Sequence, residues 1–253
     1  MFRLPAERLG SMGNGEKTMI QGKTMTVAPL QPIVTMPFAP YYDSDGVTIY
    51  NADCRKVLPW LDRCDLLLTD PPYGIDESSK KQASRQGHGL ANQRDYGEYE
   101  WDKEPPPRWF LDAAQESAET SILWGGNYYG LPSSSCWLVW DKDNGTTDFA
   151  DCELAWTNMR RAVRKFKWKW QGMLQENMGD KKEHRVHPTQ KPLALMRWCL
   201  SLVPDAQTVL DPFAGSGTTL VAARLEGRKA IGIEINEKYC EAAANRLAQR
   251  TLF

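Results

Sequence analysis

A chain of 253 residues with 42% hydrophobic and 25% charged residues has the composition of a soluble globular protein, long enough for one large α/β domain or two small ones. Thirty-one basic residues against 32 acidic ones leave a formal net charge of -1, so any contact with nucleic acid must come from local clustering. No apolar run approaches the ~20 residues needed to cross a bilayer, which disfavours a membrane role. The six cysteines lie apart with no C-x-x-C pair, and with three histidines they compose no zinc set, so no metal is expected. No secretory signal is visible, and reduced thiols in the cytoplasm are the expectation.

Residues 1–45 lack sustained periodicity and are rich in glycine and proline, which reads as an irregular extension. Structured text starts near Val47, where Val47, Thr48, Ile49 and Tyr50 alternate as a strand running to Asp53, followed by a short helix over residues 55–61. Leu66, Leu67 and Leu68 then read as a buried strand that Pro71 and Pro72 forbid to continue. Residues 76–107 are polar and turn-rich, too long for an ordinary connection, and are read as a mobile loop inserted in the domain. The prolines at 105–107 open a helix through Trp109 and Ala114, and strand-like runs follow at 121–124, 136–140 and 152–156.

Residues 159–170 carry Arg160, Arg161, Arg164, Lys165, Lys167 and Lys169 with no intervening acid. Phe166, Trp168 and Trp170 alternate with the lysines, which gives a strand one aromatic and one basic face. Such a stretch suits a solvated sheet edge, and equally a nucleic-acid track on which cations meet phosphates and rings meet bases. The second reading is preferred here. A helix over residues 193–203, a strand over 208–210, a helix over 220–226 closed by Gly227, a strand over 230–235 and a last helix capped by Asn236 complete the chain. Strands alternating with helices imply a mostly parallel sheet covered on both faces.

Two strand ends carry the chemistry. Asp70–Pro71–Pro72–Tyr73 leaves a carboxylate, two rigid backbone units and an aromatic ring where open α/β sheets bind ligands. Asp211–Pro212–Phe213–Ala214–Gly215–Ser216–Gly217–Thr218 sets a glycine turn between strand and helix, where a ligand can approach the backbone closely. Glu234, at the end of the next strand, is placed to accept hydrogen bonds from a ribose diol. No lysine follows the glycines and Asp211 would repel a pyrophosphate, so a ribose cofactor with a cationic end fits better than a nucleotide. The Asp70 carboxylate and the Pro71 carbonyl can together accept both N–H groups of an exocyclic amine, steering its lone pair, while Tyr73 offers a stacking face.

These two motifs, with His187–Pro188–Thr189–Gln190–Lys191–Pro192 between them, resemble the S-adenosylmethionine-dependent DNA amino-methyltransferases that act on adenine N6 or cytosine N4. The order, catalytic tetrapeptide first and cofactor turn last, is similar to the circularly permuted beta group. The resemblance implies a Rossmann-like methyltransferase domain over residues 46–253, with a sheet of about seven strands and helices on both faces. It implies that Phe213, Gly215, Ser216, Gly217 and Thr218 wrap S-adenosylmethionine, that Asp211 faces its amino end and that Glu234 takes its ribose hydroxyls. Asp53, taken to end the strand beside the catalytic one, would meet the adenine amine, and Thr189 and Lys191 would lie near the methionine carboxylate.

The resemblance further implies double-stranded DNA as partner, with residues 159–185 as a small target-recognition segment. Arg160, Arg161, Arg164, Lys165, Lys167, Trp168 and Lys169 are its candidate contacts, and Lys80, Lys81, Arg85 and Arg94 of the long loop could share the task. Aspartate before the two prolines leans toward adenine N6 over cytosine N4, and the absence of any Pro-Cys pair argues against attack on cytosine C5. The pocket alone leaves open an RNA or protein-glutamine methyltransferase and a non-catalytic binding module. Family members often pair, so a homodimer acting at the nucleoid is the matching expectation.

Overall fold

The computed structural model describes residues 17–20, 23–26, 36–74, 105–145, 150–171, 174–179, 182–183 and 190–249. Packing divides the chain into two units, residues 1–37 and 38–253. In the first, β1 (Lys17–Ile20) and β2 (Lys23–Thr26) form an antiparallel ribbon with Ile20 opposite Lys23. The stretch read as irregular therefore holds a hairpin: two Lys-Thr-Met triplets flank a Gln-Gly dipeptide, a two-residue turn signal.

In the second unit β3 (Tyr42–Ser44) and β4 (Val47–Asn51) are joined by Asp45 and Gly46, both with positive φ (51° and 75°). That Asp-Gly pair is the turn that matches the twist of a hairpin, and it brings residues 42–44 into the sheet rather than the extension. Next come α1 (Cys54–Val57), β5 (Cys64–Thr69), α2 (Arg108–Glu116), β6 (Ala118–Trp124) and β7 (Leu138–Asp141). β8 (Cys152–Thr157), β9 (Arg164–Lys167), β10 (Trp170–Gln171) and β11 (Leu174–Gln175) follow. The chain then runs through α3 (Leu193–Ser201), β12 (Thr208–Asp211), α4 (Thr218–Leu225), β13 (Lys229–Glu234) and α5 (Glu237–Ala248).

The main sheet has nine strands in the order β3-β4-β13-β12-β5-β6-β8-β7-β9. The seven from β4 to β7 match the expected number, and β3 and β9 extend it at the two edges. From β4 to β6 neighbouring strands are parallel, and β8 runs antiparallel to both β6 and β7. The catalytic strand β5 lies directly beside β12, with Leu66 opposite Val209 and Leu67 opposite Leu210. β4 was expected next to β5, but β13 and β12 intervene. The burial patterns give the reason: β5 and β12 are buried nearly throughout and take the centre, while the alternating β4 suits a position nearer the edge.

Leu66 and Leu68 join a core with Ile122, Trp124, Leu138 and Trp140, against which α3 packs Leu195, Met196, Cys199 and Leu200. Leu67 and Leu123, also wholly buried, alternate to the opposite face. On α5, Tyr239, Cys240, Ala243 and Leu247 are all buried, as the helical spacing requires, and the Asn236 side chain accepts from the Lys238 N–H.

At the end of the sheet away from the two motifs, Asp65 Oδ2 accepts from the Gln207 and Thr208 amides (2.7 and 2.8 Å) and from Thr208 Oγ1 (2.9 Å). The Asp65 amide donates back to Thr208 Oγ1 (2.9 Å). These bonds register β5 on β12 and hold the Asp65 carboxyl below its ordinary pKa, the Gln207 amide first among the causes. A depressed folded-state pKa stabilises the fold above the unfolded value near 3.9, and the contribution is lost as pH falls through the folded value. Asp65→Ala should therefore cost about 1 kcal/mol at pH 7, solvent screening included. Urea titrations of variant and wild type should converge as the pH falls below about 4.

Candidate active site

β5 ends at Thr69, and the prolines that follow turn Asp70 and Tyr73 over the edge of the sheet. Asp70 Oδ1 accepts from the Tyr73 hydroxyl (2.6 Å) and Oδ2 from the Lys191 ammonium (2.5 Å). The same ammonium lies 3.2 Å from Glu153 Oε2, and Glu153 Oε1 pairs with Lys142 at 2.5 Å. Two lysines and two carboxylates thus form one chain with no net charge. Burial alone would raise the Glu153 carboxyl, but Lys191 and Lys142 overcome it and hold the group at about 2. Burial pushes Asp70 up against the opposing pull of Lys191. Burial also works against the Lys191 charge, yet Asp70 and Glu153 keep its pKa above the ordinary lysine value.

The Tyr73 ring stacks on Tyr128 (centroids 5.1 Å, 19° between planes) and meets the edge of Tyr129. Tyr129 donates its hydroxyl to the Pro71 carbonyl (2.8 Å), which occupies one of that oxygen's two acceptor positions. Gly125, with φ 70°, lets the turn after β6 pass beneath this ring: a Cβ there would lie 2.2 Å from Tyr73 Cε1.

Across the β5–β12 boundary, Thr69 Oγ1 donates to Asp211 Oδ1 at 2.7 Å. The Phe213 amide donates to the same oxygen (3.1 Å), yet burial lifts the carboxyl to about 6, with Asp70 adding to the rise. No salt bridge reaches Asp211 among the described residues. Gly217 caps α4 with φ 75°, and a Cβ there would meet Ala243 of α5 at 2.7 Å. Arg246 of α5 donates to the Ser216 carbonyl (2.6 Å) and to Thr218 Oγ1 (3.0 Å), fixing the turn from behind. Glu234, at the end of β13, accepts from the Gly215 and Asn236 amides (2.9 and 2.8 Å), and burial raises its pKa. Asp53 caps α1 through the Arg55 amide (3.0 Å) and pairs with the Arg55 guanidinium, whose hydrogen bonds keep the carboxyl ionised.

A cavity of about 500 Å³ joins the two halves, lined by Asp53, Asp70, Lys191, Asp211, Phe213 and Glu234 among others. The donor set fits S-adenosylmethionine: acceptors at both ends, apolar walls from Phe110 and Phe213, and at Asp211 a buried carboxyl that lacks a cation. The group was expected to meet Lys191 near its carboxylate, but the ammonium is engaged by Asp70 and Glu153 instead. Lys191 follows Gln190, whose carbonyl is held by the Trp170 indole N–H (3.1 Å), and this anchorage carries the side chain toward β5. Thr189 and the long-loop residues Lys80, Lys81, Arg85 and Arg94 lie outside the described residues.

The basic stretch forms the sheet edge at β9, its cations exposed. Trp168, expected to stack on bases, points inward instead: it stacks on Phe166, which stacks on Trp198 of α3 (5.1 Å, 21°). One face of the strand must cover the core, and the aromatic face does so. Lys165 pairs with Asp141, and Lys167 and Lys169 with Asp143, so acids of the β7 end offset the lysines. Arg160, Arg161 and Arg164 make no salt bridge among the described residues; Arg161 donates to the Leu202 carbonyl (2.7 Å).

Sequence reasoning missed Glu153, Lys142, Tyr128, Tyr129 and Arg246. Each reaches the site from another strand or helix, and no local pattern marks it. Glu153→Ala would leave Lys142 without its partner and Lys191 with one, costing about 3 kcal/mol, the low end for a buried pair because Glu153 keeps 23% exposure. Equilibrium unfolding in urea at pH 7 measures this.

The geometry agrees with what the chain is similar to. A family model of N6/N4 methyltransferases, described as DNA methylase, matches residues 140–245. The chain is 26% identical over 260 residues to type II methyltransferase M2.MboI of Moraxella bovis, covering 85% of this chain and 93% of that protein. To type II methyltransferase M2.LlaDCHI of Lactococcus lactis subsp. cremoris it is 26% identical over 253 residues, covering 82% and 91%. Among solved structures, the M1.HpyAVI–SAM complex superposes with a TM-score of 0.50 at 22% identity, covering 80% of this chain and all of that one. The PvuII DNA methyltransferase (cytosine-N4-specific) gives 0.53 at 16% identity, covering 87% and 92%. With the Asp70–Tyr73 tetrapeptide and the glycine turn on adjacent strand ends, the chain is similar in sequence and in fold to DNA amino-methyltransferases.

Proposed function

We propose that this enzyme methylates the N6 amine of adenine in double-stranded DNA, at a specific site and on a base turned out of the helix. The target atom is shielded within a duplex, and a cavity of about 500 Å³ at the strand ends is too small for a duplex, so extrusion is required. S-adenosylmethionine supplies an electrophilic methyl group on a sulfonium centre. Asp211 would neutralise its ammonium, Glu234 would hold the ribose diol, Asp53 the adenine amine, and Phe213 with the turn from Gly215 to Thr218 the remaining surface.

The observation that carries the proposal is the pair of acceptors in sequence, the Asp70 carboxylate that lines this cavity and the Pro71 carbonyl next to it. Each retains an acceptor position for an N–H group, so the amine lone pair is aimed rather than freed by deprotonation. A neutral amine is far too weak an acid for a carboxylate, and Asp70 acts as an acceptor throughout. With the cofactor bound, the amine would take the methyl group directly, the sulfonium leaving as the neutral thioether and the surplus amine proton passing to water. Tyr73, backed by Tyr128, supplies a rigid aromatic wall. Arg160, Arg161 and Arg164 are proposed as phosphate contacts, the neighbouring lysines contributing less because acids already pair with them. A cytoplasmic homodimer acting at the nucleoid, as the resemblance implies, completes the proposal.

Incubation with labelled S-adenosylmethionine and unmodified DNA, followed by nucleoside analysis, should yield N6-methyladenine. N4-methylcytosine, or label in RNA or protein but not in DNA, would replace the proposal. Asp70→Ala should lose at least ~100-fold in rate, as misplacement of a reacting group does, with cofactor affinity little changed. Replacing Arg160, Arg161 and Arg164 together by alanine should weaken DNA binding irrespective of sequence. The salt dependence of log K should become shallower by roughly 0.9 for each phosphate that the variant no longer neutralises.

A further inference from the structure

Lys191 has two acidic partners where one would neutralise it. Its ammonium lies between Asp70 and Glu153, and Lys142 in turn balances Glu153. Were neutralising Asp70 the whole task, Glu153 and Lys142 would be redundant, since removing both leaves a balanced pair. Their presence keeps the ammonium charged and anchored while Asp70 turns toward another donor, a state in which a buried lysine with one partner would be left uncompensated. The Lys191 side chain is only 7% exposed, and it lines the same cavity as Asp70.

Asp70 can only accept and Lys191 can only donate, and the two heads lie side by side, 2.5 Å apart. An ionised carboxylate has about four acceptor positions, of which Tyr73 and Lys191 occupy two. The ammonium has three N–H groups, which face Asp70, Glu153 and the Tyr73 hydroxyl (3.1 Å), so a bond to a base takes the place of the one to Tyr73. The Watson–Crick edge of adenine presents the complementary order: a donor amine at N6 beside an acceptor at N1. Guanine and thymine present the reverse, a carbonyl beside an N–H, which would set oxygen against Asp70 and a donor against Lys191. We propose that Lys191 donates a hydrogen bond to N1 of the extruded adenine while Asp70 accepts from N6, so that the ion pair reads the base by its pairing edge. This rests on the adenine-N6 reading of the reaction centre and gives Lys191 a substrate contact in place of a cofactor one. Rejection of the reverse order is strong because it leaves buried polar groups unpaired.

The test uses the wild-type enzyme and duplexes carrying adenine, 1-deazaadenine or 7-deazaadenine at the methylated position, once nucleoside mapping has located it. 1-Deazaadenine keeps the amine but has C–H in place of N1. It also pairs less well with thymine, which eases extrusion, so a lower rate cannot come from flipping. Its kcat/KM should fall at least ~10-fold, while 7-deazaadenine stays within about 3-fold of adenine. In Lys191→Met the penalty for losing N1 should shrink to less than about 2-fold, the non-additivity expected of partners in contact. If that variant does not fold, the comparison of the two analogues by the wild type decides alone. Equal rates on the two analogues overturn the inference and leave the N6 activity standing. Absence of methylation on the adenine duplex itself defeats the reading beneath it.

Discussion

Two carboxylates end neighbouring parallel strands, and the site is organised around how each of these buried groups is compensated. Pairing of Leu66 with Val209 and of Leu67 with Leu210 brings Asp70 and Asp211 to the same edge of the sheet, both away from water. Like charges at such a place cannot both stand uncompensated. The chain answers asymmetrically. Asp70 receives a lysine of its own, braced by Glu153 and Lys142, whereas Asp211 receives hydrogen bonds from Thr69, Thr219 and Phe213 and no salt bridge among the described residues. The carboxylate with an internal cation is the one suited to a neutral amine. The one without is the one suited to an external ammonium.

The supporting parts follow from holding that edge still. Gly125 passes under Tyr73 where no Cβ fits, Tyr129 fixes the Pro71 carbonyl, and Arg246 pins the glycine turn from α5. At the far end of the same two strands Asp65 sets the register with Thr208. A slip of one residue between β5 and β12 would exchange the faces of every side chain on the strand. It would also separate Thr69 from Asp211. The register bonds and the reaction centre are therefore two ends of one constraint.

What could be read from the sequence was what the chain does locally. Strand ends stopped by proline, a glycine turn opening a helix, and the buried stripe of α5 are written in consecutive residues, and the structure bears out these elements. The two motif strands also lie side by side, as a ligand site formed between neighbouring strand ends requires. The position of β4 did not, because strand order depends on which strands bury both faces, a property of the assembled sheet. Glu153 and Lys142 were illegible for the same reason: their role exists only once β8 and β7 bring them to Lys191 from across the sheet. The stretch from Arg164 to Trp170 was legible in its period and misread in its direction, for an amphipathic edge strand turns its rings to the core and its cations to solvent.

The state of Asp211 links stability to ligand binding. Its carboxyl rises from the ordinary value of 3.8 to about 6, so the ionised form carries about 3 kcal/mol of strain. For an acid raised in the folded state, that strain is absent below the unfolded value, grows between there and about 6, and stays constant above. At neutral pH the ionised carboxylate is thus held at a cost that an ammonium placed against Asp211 would recover. Lys191 is bound to Asp70 and Glu153 and makes no ion pair with Asp211, so within the described residues that carboxyl is open to a cation from outside. A preference for a cationic amino-acid end and a stabilisation of the fold by such a ligand would then have one physical origin.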